Sequence, residues 1–176
     1  MVCRPGYATW SWMDKMAELD FSSPDRRYGL IVPAPQLQEL LDLCRAAERL
    51  ETGGVLVGYH SARRDCAIAK AVLLGPSDSQ RGGYWFMRGV RGLHRRLIRY
   101  WWQQRQFYLG EWHYHPYSSA QPSSQDISQM QRFAADPRHP CPEPILLVMG
   151  GDPNGSWTAE AVIFVRGQPP VRLLPA

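Results

Sequence analysis

The sequence predicts a mixed α/β (α+β) domain in which helices sandwich a β-sheet. Three observations lead there. Segments with apolar residues at helical spacing are interspersed with short β-branched and aromatic runs, without the strict alternation of a parallel α/β fold. Hydrophobic residues make up 44% of the chain and charged residues 20%, the balance of a packed globular protein. At 176 residues the chain is long enough to bury one substantial core without covalent staples.

The elements follow in order. Residues 1–27 carry Trp10 and Trp12 in alternation and a Ser-Ser-Pro-Asp turn at Ser22–Asp25, and read as an N-terminal extension packed on a domain spanning 28–176. Tyr28–Val32 is a short strand. Pro35 suits a first helical turn, and Leu37, Leu40, Leu41, Cys44 and Ala47 continue at helical spacing towards Leu50. Gly53 and Gly54 end that helix, and Val55–Tyr59 and Cys66–Leu74 read as antiparallel neighbours. After a loop over 75–83 and a short strand at Tyr84–Met87, a second helix is predicted over Val90–Gln104, with Val90, Leu93, Leu97 and Trp101 inward. Trp101 and Trp102 are expected in the core. Phe107–His115 is a strand stopped by Pro116, Ile127–Ala134 a helix, and Ile145–Met149 and Ala159–Val165 late strands.

Composition narrows the function classes. The strongest apolar run, Ile145–Met149, is far too short to span a bilayer, and the N-terminus lacks a signal-type apolar core, so a cytoplasmic location is expected. Cys3, Cys44, Cys66 and Cys141 are scattered without a C-x-x-C pair, which argues for incidental thiols. The net charge of +4 is mild. Arg88, Arg91, Arg95 and Arg99 line one side of the second helix, as a solvated face or as a docking face for an acidic partner. A nucleic-acid role has no other support, and His60, His94 and His139 have no ligand spacing.

The chemistry concentrates in GEWHYHPYSSAQPSSQD, residues 110–126. In a strand, His113 and His115 point to one face, with Glu111 beside them and Trp112 and Tyr114 on the core side. Asp126 falls in the first turn of the following helix. Two imidazoles and a carboxylate leave one tetrahedral position open, as in a catalytic zinc site. By spacing alone the segment reads equally as a strand, a loop and an S-x-x-D capping box at Ser123–Asp126. A cupin glutamate after the second histidine is missing, H-x-H-x-D-H fails at Pro116, and no helical H-E-x-x-H occurs.

The full string H-x-H-P-x5-P-S-x-x-D (His113, His115, Pro116, Pro122, Ser123, Asp126), with E-x-G-G-x-L-x-G upstream at Glu51–Gly58, resembles the JAMM signature of the JAB/MPN/Mov34 metalloproteases. The resemblance covers roughly residues 28–165. It implies a JAB/MPN-type, cytidine-deaminase-like fold and one Zn2+ per chain held by His113, His115 and Asp126. It also implies that Glu51 handles the proton of the attacking water and that Ser123 donates to the oxyanion. On that assignment Glu111, which shares the histidine face and is a rival base, is left as a supporting or surface residue. The implied activity is isopeptidase cleavage after the C-terminus of a ubiquitin-like protein, or of a protein conjugated by bacterial E1- and E2-like enzymes in antiphage operons. Those enzymes are possible partners, and the tail would pass the 75–88 segment and the 116–122 loop. Processing of a sulfur-carrier protein and a non-catalytic scaffold role are the alternatives.

Overall fold

The computed structural model describes residues 9–10, 18–139 and 141–176; Trp12 lies outside the described residues. Eleven strands and three helices occur among them: β1 (Thr9–Trp10), β2 (Leu19–Ser22), β3 (Gly29–Val32), α1 (Ala34–Ala47), β4 (Thr52–His60), β5 (Ala67–Leu74), β6 (Gln80–Arg81), β7 (Phe86–Met87), α2 (Leu93–Gln104), β8 (Phe107–Pro116), α3 (Ser124–Ala135), β9 (Ile145–Gly151), β10 (Trp157–Ile163) and β11 (Val171–Pro175). The mixed sheet runs β1-β10-β11-β2-β3-β5-β4-β8-β9, and β9 also pairs with β10, so the hydrogen bonding closes on itself. Pairs β3–β5 and β8–β9 are parallel, and the others antiparallel. β6 and β7 form a separate two-stranded hairpin.

Alternation along the strands feeds two faces. Leu56, Trp112, Tyr114, Leu147 and Met149 pack with Leu37, Leu40, Leu41 and Cys44 of α1 in the main core. On the opposite face, Leu146 and Val148 meet Met130 and Ala134 of α3, while Val55, Val57 and Tyr108 meet Leu93 of α2. Trp112 is fully buried, and its indole N–H donates to Leu73 O at 3.1 Å. A fully buried indole needs such a partner. Cys44 and Cys141 are buried thiols and Cys66 is half-buried.

Several sequence expectations change. Residues 19–22 form a strand between β3 and β11, with Leu19 and Phe21 in the core; β6 and β11 were not legible as strands. Helix α2 starts three residues later than predicted, because the Asp78 carboxylate takes the N–H groups of Val90 and Arg91 in a turn. Its burial also differs. Leu93 is the buried residue of α2; Val90 is 71% exposed, Trp101 44% and Trp102 69%. The helix touches the sheet through a narrow stripe of Leu93, Leu97 and Tyr100, and the Arg105 guanidinium instead covers the rings of Trp101 and Trp102.

Candidate metal centre

Strand register brings the signature residues together. On β8, His113 lies opposite Gly53 of β4 and Val148 of β9, and His115 lies opposite Gly150. Both neighbours need to be glycine. A Cβ on Gly53 would lie 2.5 Å from Trp112 O and 2.9 Å from the His113 ring, and one on Gly150 would run into the backbone of residues 118–120. That second close approach lets Ser119 O reach His115 Nδ1 at 3.3 Å.

Asp126 serves two purposes at once. As the third residue of α3 it completes a capping box: Oδ2 accepts from Ser123 N at 2.8 Å and Ser123 Oγ at 2.7 Å, while Ser123 Oγ accepts from Asp126 N. Its other oxygen, Oδ1, meets His113 Nδ1 at 2.7 Å, and Oδ2 lies 3.6 Å from His115 Nε2. The helix cap and the histidine contact are therefore not alternatives; the two carboxylate oxygens divide them. Ser123 Oγ is directed at the carboxylate in this arrangement.

His113 is buried between two acids. Its Nε2 has no hydrogen-bond partner and faces Glu111 Oε2 at 3.6 Å, too long for a hydrogen bond. Glu111 is fully buried and receives Arg88 Nε at 2.7 Å and Gln129 Nε2 at 3.3 Å, so it is a supporting residue and not a surface one. Burial alone would lower the basicity of His113, but the Asp126 and Glu111 carboxylates outweigh it and raise its pKa to about 9. Burial works against ionised Asp126 too, yet the bonds from His113 and Ser123 and the nearby His115 ring hold it well below the usual carboxylate range.

A metal ion fits these donors. One ligand atom each from His113, His115 and Asp126 lies within 4.8 Å of the others, in a buried group. The N2O donor set of two imidazoles and one carboxylate matches a tetrahedral site with one position free. Glu51 borders this group. Burial raises its pKa and Asp126 adds to the rise, with His115 and His113 opposing. Its backbone N–H bonds Gly82 O at 2.9 Å, which ties it to the β6–β7 hairpin.

The site also contains residues that no spacing rule indicated. Arg88 and Gln129 converge on Glu111 across 23 and 18 positions of sequence. Phe86 packs edge-on to the His113 ring, with centroids 5.4 Å apart. Of the remaining histidines, His94 is exposed on α2, whereas His139 stacks on Phe133 and is half-buried.

Known proteins resemble this chain in sequence and in fold. Residues 33–161 match the family model described as prokaryotic homologues of the JAB domain. A protein of Enterobacter hormaechei subsp. hoffmannii named "CD-NTase/cGAS isopeptidase" is 36% identical over 156 residues, covering 89% of this chain and 86% of that one. A protein of Sinorhizobium fredii named "Probable metalloprotease y4qB" is 25% identical over 146 residues, covering 77% of this chain and 88% of its own length. In fold, the solution structure of protein DSY2949 from Desulfitobacterium hafniense aligns with a TM-score of 0.56 at 19% identity, covering 80% of this chain and 87% of that one.

Proposed function

The chain belongs to the family of prokaryotic JAB-domain proteins, and on that premise we propose that it is a zinc-dependent isopeptidase that detaches a conjugated protein by cutting after its C-terminus. The observation that carries this reading is the buried His113–His115–Asp126 group beside a half-buried glutamate of raised pKa. The conjugated protein we favour is a CD-NTase, the nucleotidyltransferase class in the name of the 36%-identical relative, ahead of a sulfur carrier. Attachment by E1- and E2-like enzymes, and a role in antiphage defence, belong to the same proposal. No helix among the described residues is long and apolar enough to cross a membrane.

His113, His115 and Asp126 would hold the ion. Once bound, zinc supplies Lewis acidity at the scissile carbonyl and lowers the pKa of water. Glu51 takes the proton of the attacking water on its carboxylate and delivers it to the departing lysine amine. A raised carboxyl pKa suits that shuttle, since it makes the carboxylate a stronger proton acceptor. Ser123 lies next to Asp126 and would turn its hydroxyl from the carboxylate to the developing oxyanion. Exposed apolar side chains available to an extended tail are Trp85 and Met87 on the hairpin that Glu51 N–H bonds, and Tyr117, 62% exposed, two residues after His115. Backbone pairing with a sheet edge is the usual way to hold such a tail.

The test is Glu51→Ala with a lysine-linked CD-NTase conjugate as substrate. The variant should retain one zinc per chain and lose about 10²–10⁴-fold in cleavage rate. Full activity of the variant would remove Glu51 from the mechanism. A wild-type protein loaded with zinc that leaves the conjugate intact would remove the substrate assignment.

A further inference from the structure

We propose that Phe86, Arg88 and Glu111 form a brace that positions His113 for metal binding, with Arg88 acting through Glu111. This inference rests on the metal-centre reading above and concerns residues outside its ligand set.

Glu111 presents an energetic puzzle. Its side chain is 0% exposed, and a buried carboxylate costs several kcal/mol unless it is paired and fully hydrogen-bonded. Here the pairing is thorough. Arg88, itself only 8% exposed in its side chain, donates Nε–H to Glu111 Oε1 at 2.7 Å and Nη1–H to Gly89 O at 2.8 Å. Gln129 of α3 donates to Oε2 at 3.3 Å. Arg88 also covers the Phe133 ring, with its guanidinium carbon 5.8 Å from the centroid. A well-packed apolar pair at these positions would fold as well or better, so stability alone does not explain a buried ion pair.

The position of Oε2 supplies the explanation. It faces His113 Nε2 at 3.6 Å, while Nδ1 of the same ring faces Asp126 at 2.7 Å. Nδ1 thus looks towards the ligand cluster and Nε2 towards a fixed carboxylate 3.6 Å away, the partner that sets the tautomer and ring orientation of a metal-binding histidine once that gap closes to a hydrogen bond. Phe86 holds the flat of the arrangement by packing edge-on at an interplanar angle of 78°. Phe86 on β7 and Arg88 just after that strand sit two residues apart, so one stretch of chain contacts both the ligand and the acid behind it. Arginine suits the role better than lysine because its fork engages Glu111 and a backbone carbonyl together.

The experiment measures zinc affinity by competition with a chromophoric chelator, and the visible absorption of the Co2+-loaded protein, on full-length Glu111→Gln, Arg88→Met and the double variant. Each single variant should bind zinc about 10–100-fold more weakly and shift the cobalt spectrum. The double variant should lie within about threefold of the weaker single, because the arginine acts through the acid. Arg88→Lys should not restore affinity. Where Arg88→Met fails to fold, Gln129→Leu tests the same carboxylate from the half-exposed side and should weaken binding in the same direction. Unchanged affinity and spectrum in Glu111→Gln, or multiplicative losses in the double variant, would overturn the brace while the metal centre stands. Wild-type protein that takes up no zinc would overturn both.

Discussion

Gly53→Ala tests how tightly the metal face is built. The added methyl would sit 2.5 Å from Trp112 O, 2.8 Å from Phe86 Cε1 and 2.9 Å from His113 Cδ2, against ordinary carbon contacts near 3.5 Å or more. The shortfall of roughly 1 Å is worst against a backbone carbonyl, which yields only by shifting β8 relative to β4. Overpacking of this kind costs about 1–3 kcal/mol, and rigid backbone places Gly53 at the upper end. Reduced freedom of the unfolded chain returns about 0.4–1 kcal/mol. The net loss is about 2 kcal/mol, which for a chain of this length is a fall of roughly 4–8 °C in Tm. Zinc content should fall too, because the His113 ring is one of the three contacts. Gly83→Ala is the control, since a Cβ there meets nothing within 4 Å; it should change stability by less than about 0.5 kcal/mol. The assay is a thermal melt of chelator-treated protein alongside zinc analysis after reloading. Equal melting of Gly53→Ala and Gly83→Ala, with full zinc in both, would refute the close-approach argument.

Two further perturbations probe the cluster. In metal-free protein the His113–Asp126 contact should make stability pH-dependent. The His113 pKa is raised from 6.5 to about 9 on folding, so its contribution is complete below pH 6.5 and is lost as pH climbs through 9. Asp126, depressed on folding, contributes above its ordinary pKa of 3.8 and loses that contribution as pH falls further. Urea midpoints should therefore decline from pH 6.5 to 9, and Asp126→Asn should shrink the decline to the part that Glu111 supplies; a flat profile in the parent protein would contradict it. Ser123→Ala removes one half of the capping box and should cost about 1 kcal/mol in the metal-free melt. Loss of an oxyanion donor would add about 10²–10³-fold in rate, so a destabilised variant with undiminished turnover would leave Ser123 as a cap alone.

Much of this site was legible in the linear order of residues. Two-residue periodicity placed His113 and His115 on one face of β8 and Trp112 and Tyr114 in the core, as the packing bears out. Turn chemistry marked Ser123 and Asp126 as a helix start, whereas the double glycine, read as the end of α1, lies inside β4, beyond the helix end at Ala47. Those signals are local: they arise from backbone geometry within a few residues, where sequence spacing is spatial spacing. What lay beyond reach depends on register between distant segments. A bulge in the β4–β8 pairing, where Leu56 meets Gly110 and Val57 meets Tyr108, skips Leu109 and turns it into the main core beside Trp112 and Tyr114. Strict alternation from Phe107 would have put it with the histidines. The exposed tryptophans of α2 escaped for a related reason, because an apolar helical stripe does not say how wide a partner surface awaits it. Arg88 shows the same limit most sharply. Helical spacing put it on an exposed face of the second helix, but it lies before α2 with its side chain only 8% exposed. Only the packing of the chain after the β6–β7 hairpin against β8 pairs it with Glu111. Local backbone geometry put His113 and His115 on one face and Asp126 at a helix start, because both follow from spacing of a few residues. The long-range pairing of strands decided which side chains surround them.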